Sequence, residues 1–156
     1  MQLQPNSRHC FVCGLENKYG LHLRFFENEE GDVIVETTVP EHFQGYPGIV
    51  HGGIVASLVD EALGRVHMGP ADDPRFMFTA KLTVNYRKPV PTEKPIRIVA
   101  HAIKIKRRSA TSVCSVYGPE GDLLAEADAV LVNVPEQMLE NADLETLGWK
   151  VYPLEE

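Results

Sequence analysis

From Gly52 to Val66 the apolar residues Val55, Leu58, Val59, Ala62, Leu63 and Val66 recur three or four places apart. That spacing draws one broad helical face and predicts a helix that is mostly buried. Elsewhere the period is two. Leu21-His22-Leu23-Arg24-Phe25 alternates apolar and polar side chains and reads as a strand, and after the turn Glu29-Glu30-Gly31-Asp32 a second strand is expected over residues 33–39. Beyond a loop rich in Gly, Pro and Asp (residues 69–74), strands are expected over residues 76–87, 96–105, 111–117 and 123–134. Turns around Arg108-Ser109 and Gly118-Pro119-Glu120-Gly121 join the later ones. Such spacings favour an antiparallel meander over βαβ units. Pro135 ends the last strand, and residues 136–147 read as a short acidic helix. One long buried helix beside five or six strands is an α+β layer architecture.

Length and charge narrow the partners. The 156 residues suit one domain: an irregular segment over residues 1–20, the body over 21–135, and an acidic tail over 136–156. A net charge of -7 disfavours nucleic acid, which asks for a basic surplus, yet leaves room for a small phosphate ligand at a local basic spot. Three cysteines cannot all pair with one another, which points to a reducing compartment. No apolar run approaches the roughly 20 residues that cross a bilayer, and Met1-Gln2-Leu3-Gln4-Pro5 lacks a signal-peptide core. The expectation is a cytoplasmic protein with no membrane partner.

The chemistry concentrates where the helix begins. Gly52 and Gly53 follow His51 directly, so backbone N–H groups at the positive end of the helix dipole lie open to an anion or a developing oxyanion. Close packing of the helix on the sheet is the competing explanation for the two glycines. Asp60 is an acid mid-helix in apolar surroundings, expensive there unless paired, solvated or functional, and Gly53, Ala56, Ser57 and Gly64 leave its face open to close approach. Glu61 points about 100° away and is expected to form an ordinary surface pair with Arg65 at i+4. His51 and Asp60 lie nine residues apart, on opposite faces and about 13 Å apart along the axis. If both serve one site, one of them comes from a second copy, which makes a homodimer the smallest active unit.

The His51-Gly52-Gly53 signature with an acid nine residues after the histidine resembles the hot-dog-fold acyl-CoA thioesterases, particularly the PaaI-like group. The segment from Thr79 through Asn85-Tyr86-Arg87-Lys88 to Pro91 is similar to that family's third strand, and Cys10-Phe11-Val12-Cys13-Gly14 with Gly20-Leu21 looks like a variant of the same group. The resemblance implies a hot-dog fold, an antiparallel sheet wrapped around the long central helix. It implies hydrolysis of an acyl-CoA thioester by a homodimer or dimer of dimers whose sites are shared between subunits. No metal or cofactor is implied beyond the coenzyme A of the substrate. On this pattern Gly52 N–H polarises the thioester carbonyl, and Asp60 from the other subunit is general base or nucleophile. His51 supports the loop and Thr79 helps place water. Relatives often carry Asn or Gln six residues before the histidine. Gly45 stands there, with Gln44 beside it as the candidate substrate contact. Gly53, Phe43 and Asn85 complete the expected substrate-binding set, with Phe43, Leu58 and residues 76–78 lining the acyl pocket.

Two weaker signals remain. Arg87-Lys88 and the group Lys104, Lys106, Arg107, Arg108 are either solvated strand ends or a seat for coenzyme phosphates, Arg107 and Arg108 the favoured contacts. Cys10 and Cys13 have metal-ligand spacing but no second pair, and are expected to be reduced and packing, as is Cys114. Two other functions fit the same fold: an acyl-CoA-binding module without turnover, and a hot-dog dehydratase or hydratase.

Overall fold

In the computed structural model, residues 1–140 and 142–154 are described. Seven strands and three helices follow one another as β1 (Gln2–Leu3), β2 (Phe26–Glu27), β3 (Val33–Thr38), α1 (Gly52–Arg65), β4 (Met77–Tyr86), β5 (Pro95–Ile105), β6 (Ser109–Tyr117), β7 (Leu123–Asn133), α2 (Glu136–Leu139) and α3 (Leu144–Leu147), with a 3₁₀ turn at Glu41–Phe43. The strands form one antiparallel sheet in the order β1-β2-β3-β5-β6-β7-β4. Helix α1 lies across β3 to β7. Its apolar face, Val55, Leu58, Val59, Ala62 and Leu63, is buried against Val35, Ile98, Ala100, Val116, Ala127 and Leu131 of the sheet. Leu58 and Leu63 are fully buried, so trimming either to Ala costs about 2–5 kcal/mol.

The five long strands lie within two residues of their expected bounds, but their arrangement is not a simple meander. Of these five, only β5, β6 and β7 follow one another in both sequence and space. β4 crosses to the far end and, among the described residues, pairs with β7 alone, so one edge of a ten-residue strand carries no partner there. Residues 21–25 are not a strand. Leu23 and Phe25 are buried as their alternation suggests, yet Leu21 N–H and Leu23 N–H donate to the carbonyls of Phe11 and Val12, and Phe25 accepts from Gln4. The alternation reports burial, and the pairing is with the irregular N-terminal segment. The single acidic helix expected over 136–147 is two separate turns, α2 and α3; Asn141 lies outside the described residues. The tail folds back: Asn6 N–H donates to Lys150 O and Arg8 N–H to Leu147 O. Among the described residues no helix is long and apolar enough to cross a membrane.

Candidate active site

The loop before α1 is held by its own backbone. Gly45 N–H donates to Ile49 O at 2.8 Å, Val50 N–H to Val90 O at 2.8 Å and His51 N–H to Phe43 O at 2.9 Å. His51 thereby becomes the N-cap, extended at φ -57° and ψ 135°, and its Nδ1 accepts from Gly53 N–H at 2.9 Å. Ile54 and Val55 both donate to His51 O. Of the four orphan N–H groups in the first turn, Gly52 N–H alone has no acceptor among the described residues. It sits at the positive end of a fourteen-residue helix, where an oxyanion is favoured. Gly53 N–H is committed to His51, and His51 has spent Nδ1 on the cap. Tyr86, at the end of β4, donates its hydroxyl to Gly52 O at 2.6 Å. Gly52, His51, Tyr86, Arg87, Lys88 and Val90 help to line a cavity of about 500 Å³.

Asp60 faces a different space. It is partly buried, and Thr79 Oγ1 donates to its Oδ1 at 2.7 Å. Thr79 stands beside an irregularity in β4: Thr79 pairs with Leu131 and Lys81 with Val130, leaving Ala80 as the extra residue. A bulge of this kind turns neighbouring side chains out of the regular alternation. The cavity here, about 280 Å³, is lined in part by Asp60, Thr79, Phe76, Met77, Cys10 and Trp149. The helix geometry that separates His51 from Asp60 thus puts them in two cavities, one at each end of β4.

Glu61, Cys10 and Cys13 also line the Asp60 cavity, in surroundings that differ from those expected of them. Arg65 is not part of a surface pair with Glu61. Its side chain is 0% exposed, with Nε 3.0 Å from Glu61 Oε1, and its guanidinium lies 4.1 Å from the Phe25 ring centroid and 5.0 Å from that of Trp149. Residues distant in sequence cover it, so the i+4 spacing alone misleads. Burial pushes the Glu61 carboxyl up to about 7 despite Arg65 beside it. Cys10 is drawn down to about 6, chiefly by the hydrogen bond from Cys13, whose own thiol is pushed up by the same contact.

Of the remaining expected residues, Arg87 and Lys88 line the first cavity, and Phe43, Leu58, Gln44, Asn85, Arg107 and Arg108 lie apart from both. Phe43 packs edge-on against Phe11, Leu58 is in the core, and Gln44 and Asn85 are exposed. Arg87 pairs with Glu126 at 2.9 Å and Lys88 with Asp122 at 3.1 Å. Arg107 and Arg108 are exposed on the β5–β6 turn, which the side chains of Arg75 and Asn133 brace through the Arg107 carbonyl. This turn lies at the Met77 end of β4, beside Asn133, the register partner of Met77. The two basic clusters are therefore at opposite ends of one strand, as the two cavities are.

Residues 47–125 match the model of the thioesterase superfamily, half of the chain, and the protein belongs to that superfamily. It is similar to the acyl-coenzyme A thioesterase THEM4 of Bos taurus, 29% identical over 130 residues that cover 81% of this chain and 52% of the relative. The chain thus spans about half the length of the curated relatives it matches. Among solved structures it superposes on a thioesterase superfamily protein with a TM-score of 0.71 at 27% identity, covering 80% of this chain and 63% of that one. A Streptococcus mutans protein bound to acetyl CoA matches at a TM-score of 0.64 and 22% identity, over 72% of this chain and 88% of that one. The fold is the α+β hot-dog fold of these thioesterases.

Proposed function

We propose that the protein hydrolyses acyl-CoA thioesters at a site assembled from Gly52 of one copy and Asp60 of another. The observation that carries this reading is the separation itself. An N–H without an acceptor among the described residues and a carboxylate oriented by a hydroxyl occupy opposite ends of β4, and among those residues the outer edge of β4 is unpaired. A long exposed edge is a template for a second strand. Antiparallel pairing of β4 with its copy brings the Gly52 end of one chain to the Asp60 end of the other and makes two equivalent sites. The same pairing sets Arg107 and Arg108 of one chain near Arg87 and Lys88 of the other, where together they offer phosphate oxygens of the coenzyme a basic seat. The class of substrate is suggested by the THEM4 relatives, named for acyl-coenzyme A, and by the similar fold that holds acetyl CoA.

In this reading the thioester carbonyl oxygen accepts from Gly52 N–H, more strongly as it becomes an oxyanion. Asp60, held through one oxygen by Thr79, uses the other to take a proton from the attacking water. The tetrahedral intermediate then expels the coenzyme thiolate, a good leaving group. His51 acts through the loop, as the cap that leaves Gly52 N–H free. These steps need no cofactor beyond the substrate's own coenzyme A. A reducing cytoplasm suits the free thiols of Cys10, Cys13 and Cys114. Turnover of a panel of short, long and aromatic acyl-CoAs by wild type and Asp60→Asn tests the reading: kcat falls at least about 100-fold with the oligomer intact. Undiminished hydrolysis by the variant contradicts it.

A further inference from the structure

Cys10, Cys13 and Glu61 meet where the N-terminal segment crosses α1. Their ligand atoms, two sulfurs and a carboxylate oxygen, all lie within 4.8 Å of one another, against the ~3.5–3.8 Å between ligands of a tetrahedral ion with bonds of 2.0–2.3 Å. Small side-chain rotations close that difference. The backbone is already wound for a thiolate: Val12 N–H and Cys13 N–H donate to Cys10 Sγ at 3.3 and 3.4 Å, and Ser7 Oγ lies 3.3 Å from Cys13 Sγ. Gly14 N–H closes the turn on Cys10 O at 2.8 Å. A Cβ at Gly14 would fall 2.4 Å from that same oxygen, so no other residue fits without moving the backbone. Two thiolates and a carboxylate leave one negative charge in excess of a divalent ion, and the buried Arg65 guanidinium, 3.0 Å from Glu61, balances it.

We propose that Cys10, Cys13 and Glu61 bind a borderline-soft divalent cation, Zn²⁺, whose fourth position opens into the cavity that Asp60 lines. The donor set selects this class. Two thiolates exclude Mg²⁺ and Ca²⁺, and three protein ligands leave a place for water from the cavity. The ion ties the N-terminal turn to α1 one residue from Asp60 and fixes that wall of the cavity. The proposal stands on the cluster alone and does not depend on the thioesterase reading.

Reduced, full-length protein is stripped with a chelator and titrated with Co²⁺ as a spectroscopic stand-in. The expected result is tetrahedral d–d absorption with a sulfur-to-cobalt charge-transfer band, saturating at an equimolar ratio and displaced by Zn²⁺. Cys10→Ser and Cys13→Ser lose the charge-transfer intensity and bind Zn²⁺ at least about 100-fold more weakly against a chromogenic chelator. Glu61→Gln keeps a thiolate band but binds about 10-fold more weakly, and Cys114→Ser matches wild type. Circular dichroism establishes that each variant is folded. Absence of the band in reduced wild type overturns the proposal, and so does a band that survives both serine substitutions. A Cys10–Cys13 disulfide that forms in a glutathione buffer, with no metal taken up by the reduced form, also overturns it and assigns the pair to thiol–disulfide chemistry.

Discussion

The cavity at the Gly52 end and the cavity at the Asp60 end share a helix and a strand but are built on different principles. The first is made of backbone. Its candidate group is an N–H left over after His51 caps Gly53 and accepts from Ile54 and Val55, and Tyr86 holds the same residue through its carbonyl. The second is made of side chains, Asp60 with Thr79, and is walled by segments from both ends of the chain. One offers positive potential and the other a base. Thioester hydrolysis needs both within a few ångströms of one carbon. The difference teaches that neither end is complete alone; on the proposed reading the fold divides the reaction between its two ends, and pairing two copies joins them.

Removing the backbone donor should have the largest effect. Gly52 is the first residue of α1, and His51 before it is extended at ψ 135°, the conformation a following proline requires. The nearest atoms that a Cβ at Gly52 would meet belong to Tyr86, at 3.5 Å or more, ordinary van der Waals contact. Gly52→Pro therefore deletes the free N–H while the helix start is kept, and lowers kcat/KM by about 100–1000-fold. An unaltered rate, with helix content preserved by circular dichroism, would show that this N–H is not the oxyanion donor.

A smaller effect is expected at the other cavity. Thr79→Val removes the hydroxyl that orients Asp60 and costs about 10–100-fold in kcat, as the loss of a hydrogen bond to a charged group does, while Thr79→Ser restores most of it. Equal losses in both variants would instead assign Thr79 a packing role. Smallest of the three, Tyr86→Phe removes a neutral hydrogen bond to Gly52 O, and kcat drops about 2–10-fold. Steady-state kinetics on one acyl-CoA resolves all three, and their order is what sharpens the contrast between donor, oriented base and supporting contact.

Much of the frame was legible before any coordinates. The 3.6-residue period located α1 to within a residue, and the alternation located the five long strands, because both patterns report which face is buried. Strand order was not legible. Sequence neighbours usually pair in a meander, but β4 lies beside β7, and nothing local in Met77–Tyr86 says so. The separation of His51 from Asp60 followed from helix geometry alone. Other features of the two cavities arise from contacts between residues far apart in the chain. Tyr86 reaches Gly52 across 34 residues, Phe25 and Trp149 pack on Arg65, and Cys10 and Cys13, which precede β3 in the chain, meet Glu61, which follows it. An i+4 rule sees Glu61 and Arg65 as surface neighbours because it has no access to what covers them.

The division of the site between copies is tested most directly by mixing two inactive variants. Asp60→Asn and Gly52→Pro chains are combined in equal amounts under conditions that allow subunit exchange, and hydrolysis of one acyl-CoA is followed. If each site takes Gly52 from one chain and Asp60 from the other, a mixed dimer holds one intact site, and random exchange recovers about a quarter of wild-type activity. If both groups serve a site within a single chain, every site in the mixture is damaged and the activity stays at the level of the separate variants.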